Sequence, residues 1–313
     1  MVVDVLSLQP LEVRTIVVIG NFDGVHIGHQ ELLKKAKFYK KTEKLKIVAL
    51  TFWPHPASVF GRDRESLLLM PLEERVRLLK LLGVDEVVVL EFSEALFSMS
   101  PEKFLNEVMV GKLRAGIVIV GEDFRFGKDR SGDVNFMKNY LAKFGVYVEI
   151  VKHVYHEGMP VSSTRIRRLV KEGRVEEVWH LLGRPYKLLG TVIKGASRGM
   201  VLGFPTANVI PENKVVPADG VYATFVDLGF AIYRGVTNVG KNPTFGGGIR
   251  SVETHILDFS GNLYGSKIGI FFVRRLREER KFATIDDLRK AIEKDVMEGR
   301  GWLEWERLAF GLF

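Results

Sequence analysis

The sequence contains no cysteine. That absence excludes disulfide scaffolds, thiolate metal sites, redox pairs and cysteine nucleophiles, so any catalysis rests on other groups. Apolar runs of the roughly 18 to 20 residues needed to cross a bilayer are also lacking. The opening MVVDVLSLQP has neither the basic start nor the apolar stretch of a signal peptide. A cytoplasmic chain with no membrane partner is expected. Basic residues give a net charge of +8, but no basic tail or stripe accompanies the excess. The densest cluster, Arg274, Arg275, Arg277, Arg280 and Lys281, is interleaved with Glu278 and Glu279 and reads as a solvated strand end or loop. Nucleic-acid binders concentrate their charge, so no nucleic-acid partner is expected; a dispersed excess suits anionic small substrates such as nucleotides. Internal repeats and low-complexity segments are missing as well.

What is present is ordinary globular material: 313 residues, 46% apolar and 27% charged. At about 100 to 200 residues per domain this length predicts two domains. The first half alternates β-branched runs (Ile16 to Ile19, Ile47 to Phe52, Glu86 to Leu90, Ile117 to Val120, Val146 to Ile150) with stretches whose apolar residues return every three to four positions. Those stretches are Gly28 to Tyr39, Leu72 to Leu82, Pro101 to Val110 and Val134 to Phe144. Strands of this kind separated by helices imply a parallel sheet covered on both faces, with ligands bound beyond the carboxyl ends of its strands.

After Ser163 two short helices are predicted, the second from Arg174 to Leu182, stopped by Gly183 with Pro185 behind it. This stop marks the expected boundary between domains 1–183 and 184–313. Beyond it, short strands broken by glycine and turn residues predict a small antiparallel barrel: Leu188 to Ile193, Thr206 to Ile210, Tyr222 to Asp227, Ala231 to Val239, Val252 to Leu257 and Ile268 to Arg274. A final helix from Thr284 to Glu298 has Thr284 as N-cap, with Asp286 and Asp287 in its first turn.

Gly20-Asn21-Phe22-Asp23-Gly24-Val25-His26-Ile27-Gly28-His29 follows the first strand and opens the first helix. Glycines allow a tight turn, and free N–H groups at a helix start attract phosphate. His26 and His29, three apart, would share one helix face about 5–6 Å from each other and both reach a polyphosphate. The same residues also read as a glycine-rich turn with two surface histidines; a metal site would need a third ligand, which is not evident.

The segment GNFDGVHIGH resembles the signature of the nucleotidyltransferase superfamily. Three further segments narrow the resemblance: Thr51-Phe52-Trp53-Pro54-His55-Pro56, then Gly121-Glu122-Asp123-Phe124-Arg125-Phe126-Gly127, and Val161-Ser162-Ser163-Thr164-Arg165-Ile166-Arg167. Together they are similar to the FMN adenylyltransferase module of bacterial bifunctional riboflavin kinase/FAD synthetases. The resemblance implies a Rossmann-like fold and an ATP site formed by the histidine motif and the SSTRIR segment. Adenylyl transfer needs positive groups and N–H donors around the phosphates rather than a covalent nucleophile. His26, His29 and Arg165 would supply charge, and Ser162, Ser163 or Thr164 would cap the short helix. Asp123, Phe124, Arg125 and Phe126 are candidate flavin contacts, although Phe124 and Phe126 equally read as a core pair. At Trp53 the family would be expected to carry an acidic or polar residue.

The second half opens with a glycine-rich loop holding Gly195 and Gly199, followed by Gly203-Phe204-Pro205-Thr206-Ala207-Asn208. Thr206 and Asn208, two apart on one strand face, offer hard oxygen donors suited to Mg²⁺, and by themselves also read as a hydrogen-bonded pair. This run resembles the riboflavin kinase module, where these positions hold magnesium and ATP. Gly235-Val236-Thr237-Asn238-Val239-Gly240-Lys241-Asn242-Pro243-Thr244 and Val252-Glu253-Thr254-His255 extend the resemblance to nearly the whole chain. Met200 and Val201 depart from it, since family members often carry a basic residue there. Alternation puts Glu253 and His255 on one strand face, opposite Val252, Thr254 and Ile256. By resemblance Glu253 is the base for riboflavin's terminal ribityl hydroxyl.

The implied function is synthesis of FMN from riboflavin and of FAD from FMN, with ATP consumed at two sites and pyrophosphate released. Two alternatives remain open at this point: a single-function adenylyltransferase with a ligand-binding barrel, and a non-catalytic flavin sensor.

Overall fold

Four of the six strands of the first sheet are mostly runs of Val, Ile, Leu and Ala with little alternation, as expected of strands buried on both faces. In the computed structural model, which describes residues 2–60, 68–195, 199, 202–241 and 250–306, these runs pair in parallel. The elements are β1 (Val2–Val3), β2 (Thr15–Ile19), α1 (Ile27–Glu43), β3 (Lys46–Trp53), α2 (Pro56–Phe60), α3 (Leu72–Leu81) and β4 (Glu86–Glu91). They continue with α4 (Glu94–Phe97), α5 (Pro101–Lys103) running into a π-helical stretch (Phe104–Lys112), β5 (Ala115–Gly121), α6 (Val134–Ala142) and β6 (Tyr147–Val151). The strand order is β1-β4-β3-β2-β5-β6. It reverses between β2 and β5, so the crevice at the carboxyl ends of these two strands is the place where a doubly wound sheet holds its ligand. Val17, Val48, Leu50, Val118 and Val120 form the centre of the core.

The predicted elements are present, with ends shifted by a few residues. Not anticipated were β1, which adds a two-residue edge beside β4; the short helices α2 and α4; the hairpin β7 (Tyr155–His156) and β8 (Met159–Pro160); and the π-helical geometry after α5.

Two helices follow, α7 (Ser163–Glu172) and α8 (Val175–Leu182). Gly183 caps α8 in the left-handed region at φ 70°, the helix stop read from the sequence. The barrel comprises β9 (Tyr186–Ile193), β10 (Ala207–Pro211), β11 (Gly220–Asp227), β12 (Ile232–Lys241), β13 (Arg250–Ile256) and β14 (Lys267–Arg277). It closes in the order β10-β13-β12-β11-β14-β9, antiparallel throughout. A run of hydroxyls crosses its interior: Thr224 and Thr237 lie 2.8 Å apart, and Thr237 donates to Thr254 at 2.9 Å. The terminal helix α9 (Ile285–Glu306) packs on β11, β12 and β14, and Thr284 accepts from Asp287 N–H at its start.

The chain forms two compact units, one of Met1–Leu67 with Leu72–Ser162 and the other of Leu68–Pro71 with Ser163–Phe313. Helices α7 and α8 thus group with the barrel, ahead of the boundary expected at Gly183. The reason is packing. A Cβ at Gly173 would sit 2.8 Å from the Tyr222 hydroxyl, Glu176 accepts from Arg275 N–H, and Trp179 packs with Ala223, Phe225, Val273 and Leu303. The short piece Leu68–Pro71 groups there too, because Leu69 O accepts from both Tyr186 Oη and Asn213 Nδ2.

The basic cluster near the end of β14 is more than a solvated strand end. Arg274 lies over the Trp302 ring at 3.5 Å, Arg275 donates to Asp219 O, and Arg277 makes a forked bond to the buried Asp295. These arginines fasten β14 to its neighbours.

Candidate functional site

The turn between β2 and α1 is built in an unusual backbone conformation. Phe22 (φ 51°), Gly24 (φ 85°) and Val25 (φ 41°) all occupy the left-handed region, where a β-branched residue is rare and strained. Val25 N–H closes the turn on Phe22 O, Gln30 Nε2 ties Val25 O to α1, and Thr51 Oγ1 ties Asn21 O to β3. Gly20, Asn21 and Gly28 flank it; a Cβ at Gly28 would come within 3.1 Å of the His26 ring. Phe22, Asp23 and Val25 are fully buried.

His26 is not on the face of the helix. It is the N-cap of α1, in extended conformation, and its Nδ1 accepts from His29 N–H at 3.3 Å. The ring therefore folds over and stacks on His29, with centroids 3.7 Å apart at 17°, closer than two side chains projecting from one helix would be. With Nδ1 accepting, the proton of a neutral His26 sits on Nε2, which makes that nitrogen a donor. The three-residue spacing predicts both histidines on one helix face, whereas His26 is the cap; a histidine N-cap is outside the usual Ser, Thr, Asp and Asn set.

Gly121 ends β5, the strand across the switch point from β2. Behind it Phe126 is buried among Phe104 and Phe136, while Phe124, stacked on Phe126 at 5.8 Å, is only partly buried, and Asp123 and Arg125 are exposed. The four candidate flavin contacts thus separate into a core anchor, Phe126, and three residues open to a ligand. Ser162 immediately precedes α7, Ser163 and Thr164 begin it, and Arg165 is buried. The division between the two compact units falls inside this motif, between Ser162 and Ser163.

Arg75 was missed. It is fully buried, its Nη2 lies 3.9 Å from Asp23 Oδ1, and its guanidinium faces the Trp53 ring at 5.9 Å. Its sequence signal was an arginine at helical spacing from Leu72, Leu78, Leu79 and Leu82, the apolar stripe of α3.

In the barrel half, register assembles the second constellation. Asn208 of β10 and Asn238 of β12 both oppose Glu253 of β13, so the three side chains lie in one row on one face. Val252, Thr254 and Ile256 are buried on the other face, as alternation predicted. Asn238 was not singled out from sequence. Gly195 passes so close to Asn208 that a Cβ there would overlap the carboxamide, and a Cβ on Gly199 would overlap Phe204 O. Phe204 N–H donates to Gly199 O at 2.8 Å, Gly203 takes φ 87°, and His255 Nδ1 donates to Pro205 O at 2.8 Å while its ring meets Phe204 edge-on. Thr206 stands just before β10 rather than within it. Residues 196–198, 200–201 and 242–249, including Met200, Val201 and Asn242 to Thr244, lie outside the described residues.

Among the described residues there is no group of three or more His, Asp or Glu placed to hold a metal ion, and no helix is long and apolar enough to cross a membrane. Thr206 and Asn208 offer two neutral oxygens. Such a set fits Mg²⁺ that arrives with nucleotide phosphates, which complete its oxygen shell, better than a resident ion.

Residues 8–165 match the family model for FAD synthetase, and residues 182–303 the model for riboflavin kinase. The chain is 37% identical to the bifunctional riboflavin kinase/FMN adenylyltransferase of Bacillus subtilis (strain 168), over 92% of each chain. It is 34% identical to the protein of that name from Escherichia coli (strain K12), over 94% of each. Among solved structures it is similar to one described as a macrolide-efflux protein from Streptococcus pneumoniae, with TM-score 0.87 and 35% identity over 94% of this chain and 96% of the other.

Proposed function

The chain belongs to the bifunctional riboflavin kinase/FMN adenylyltransferase family, and from that premise we propose how its residues divide the work of two transfers. The protein is a transferase that phosphorylates riboflavin to FMN and adenylylates FMN to FAD, using ATP for both and releasing pyrophosphate in the second. The reading of the sites rests on one observation: His26 and His29 stand at the switch point of the parallel sheet, whereas Asn208 and Glu253 share a row on the barrel. We assign adenylyl transfer to residues 1–183 and phosphoryl transfer to 184–313.

In adenylyl transfer an FMN phosphate oxygen forms a bond to the α-phosphorus of ATP as the bond to pyrophosphate breaks. The first turn of α1 presents N–H groups, His26 Nε2–H and His29 add donors, and Arg165 adds a fixed positive charge. Gly20, Asn21, Phe22, Asp23, Gly24 and Gly28 shape the turn that lets phosphate approach the backbone. Ser162, Ser163 and Thr164 complete the nucleotide contacts, while Phe124, with Asp123 and Arg125 beside it, takes the flavin.

In phosphoryl transfer the Glu253 carboxylate accepts the proton of the terminal ribityl hydroxyl as its oxygen attacks the γ-phosphorus and ADP departs. Asn208, opposite Glu253, and Thr206 would hold Mg²⁺ against the phosphates. When bound, the ion neutralises charge on the transferring group. Gly195, Gly199 and the Gly203-Phe204-Pro205 turn lie over the same strand end and would follow the polyphosphate.

Incubation with riboflavin, ATP and Mg²⁺ followed by separation of the flavins tests the whole reading. FMN and FAD both form, and chelating Mg²⁺ stops both. FMN without FAD under saturating ATP would remove the adenylyltransferase assignment, and unchanged rates under chelation would remove the metal.

A further inference from the structure

Asp23 sits in the middle of the strained β2–α1 turn and is fully buried. A carboxylate in such a place is costly unless a cation or several donors offset its lost hydration. Arg75, also fully buried, brings its Nη2 to 3.9 Å from Asp23 Oδ1. It comes from α3, which is remote in sequence from the turn and carries no nucleotide motif. The same guanidinium faces the Trp53 ring at the end of β3, the strand beside β2. One buried cation therefore joins the carboxyl ends of two neighbouring strands at the edge where the histidine pair stands.

With no exposed surface, Arg75 cannot reach a bound nucleotide. We propose that Arg75 is a positioning residue for adenylyl transfer: by holding the Asp23 carboxylate it keeps the Phe22–Val25 turn in its left-handed conformation, and the turn in turn sets His26 as N-cap, stacked on His29. Phe22 and Val25, the two left-handed residues that carry a Cβ, store strain that surrounding contacts must over-determine. Backbone ties hold Asn21 and Val25 at the flanks of the turn, and the Asp23–Arg75 pair holds its centre. Removing the cation takes the arginine's opposite charge away from the buried carboxylate, which the turn relieves by moving Asp23 toward water and carrying His26 with it.

This inference rests on the assignment of the adenylyl transfer site above, and the experiment separates the two. Arg75→Met, Arg75→Lys, Asp23→Asn and the double variant Asp23→Asn/Arg75→Met are assayed for FMN to FAD and, in the same preparations, for riboflavin to FMN. Arg75→Met should lower kcat for FAD synthesis by about 10²-fold, the effect of a misplacement near 1 Å. Its KM for ATP should stay within about twofold, because the histidines act on charge that develops in the transition state. Arg75→Lys should recover most of the rate. The double variant should be faster than Arg75→Met, since it removes the buried carboxylate charge together with the cation that offsets it. Kinase activity should be unchanged throughout, and circular dichroism with thermal melting of each variant reports whether the first unit is folded. If Arg75→Met does not fold, the comparison of the double variant with Asp23→Asn decides: equal rates support the proposal, and a further large loss in the double overturns it. Wild-type kcat in Arg75→Met, an effect confined to KM, or equal loss of both half-reactions would also overturn it. A wild-type protein that makes no FAD from FMN strikes the site assignment itself.

Discussion

Gly195 and Asn208 are packed so tightly that any side chain at position 195 would overlap the Asn208 carboxamide. Asn208 in turn faces Glu253 across the β10–β13 pair, so this one contact sets the spacing between the Gly195 loop and the Glu253 strand.

Gly195→Ala should therefore impair the kinase selectively. Moving the carboxamide by about 1 Å should cost roughly 10²-fold in FMN formation, while FMN supplied directly is converted to FAD at the normal rate. Steady-state assays of the two half-reactions check this; equal FMN formation in wild type and variant would refute the role given to Asn208.

Glu253→Gln keeps the shape of the side chain and removes the carboxylate proposed as the base. Riboflavin phosphorylation should fall about 10²–10⁴-fold, with FAD synthesis from FMN retained. His29→Ala should do the reverse, losing about 10²–10³-fold in adenylyl transfer. If either substitution slowed both reactions equally in folded protein, a single composite nucleotide site would have to replace the two-site reading.

Fragments 184–313 and 163–313 should differ in stability. The shorter one lacks Gly173, Glu176 and Trp179, which contact Tyr222, Arg275 and the Phe225 cluster. It should melt at a lower temperature than 163–313, and both should melt below the full chain, because each lacks Leu69 O as partner for the buried Tyr186 and Asn213. In the full chain Asn213→Ala should cost about 1–3 kcal/mol, the penalty for breaking a buried hydrogen-bond set. Chemical denaturation measures the loss. Identical melting of the two fragments would leave the Gly183 boundary as the better domain limit.

Asp85 couples α1 to β3: Lys40 donates to both carboxylate oxygens and Ile47 N–H to one of them. Partial burial raises the Asp85 pKa, but these hydrogen bonds outweigh it and hold the group below the usual carboxylate value. With the folded pKa lowered, the stabilisation is present above the unfolded-state value and is lost as pH falls through the folded one. Asp85→Asn should thus cost about 1 kcal/mol at neutral pH, allowing for its partial exposure. The difference from wild type should shrink as pH falls below the ordinary carboxylate value of 3.8 in denaturation measured as a function of pH. A difference independent of pH would show that the carboxylate charge is not involved.

The sequence by itself determined the types of the main strands and helices, because these depend on local chemistry. Unbroken Val and Ile runs make buried parallel strands, a helix period returns apolar residues every three to four positions, and glycine at 183 stops a helix by taking a left-handed angle. Alternation alone also put Glu253 and His255 opposite Thr254. Tertiary structure decided the rest. That Asn238 joins Asn208 and Glu253 in one row follows from the register of three strands, and pairing across 15 or more residues leaves no trace in any one of them. His26 became a cap rather than a helical side chain because the left-handed turn before it redirects the backbone. Phe124 and Phe126, alike in sequence, were separated by what lies behind them, where Phe104 and Phe136 fill the space under only one. Arg75 is invisible to motif reading because its role depends on a carboxylate 52 positions earlier, brought within reach only when β2 and α3 pack on the same sheet.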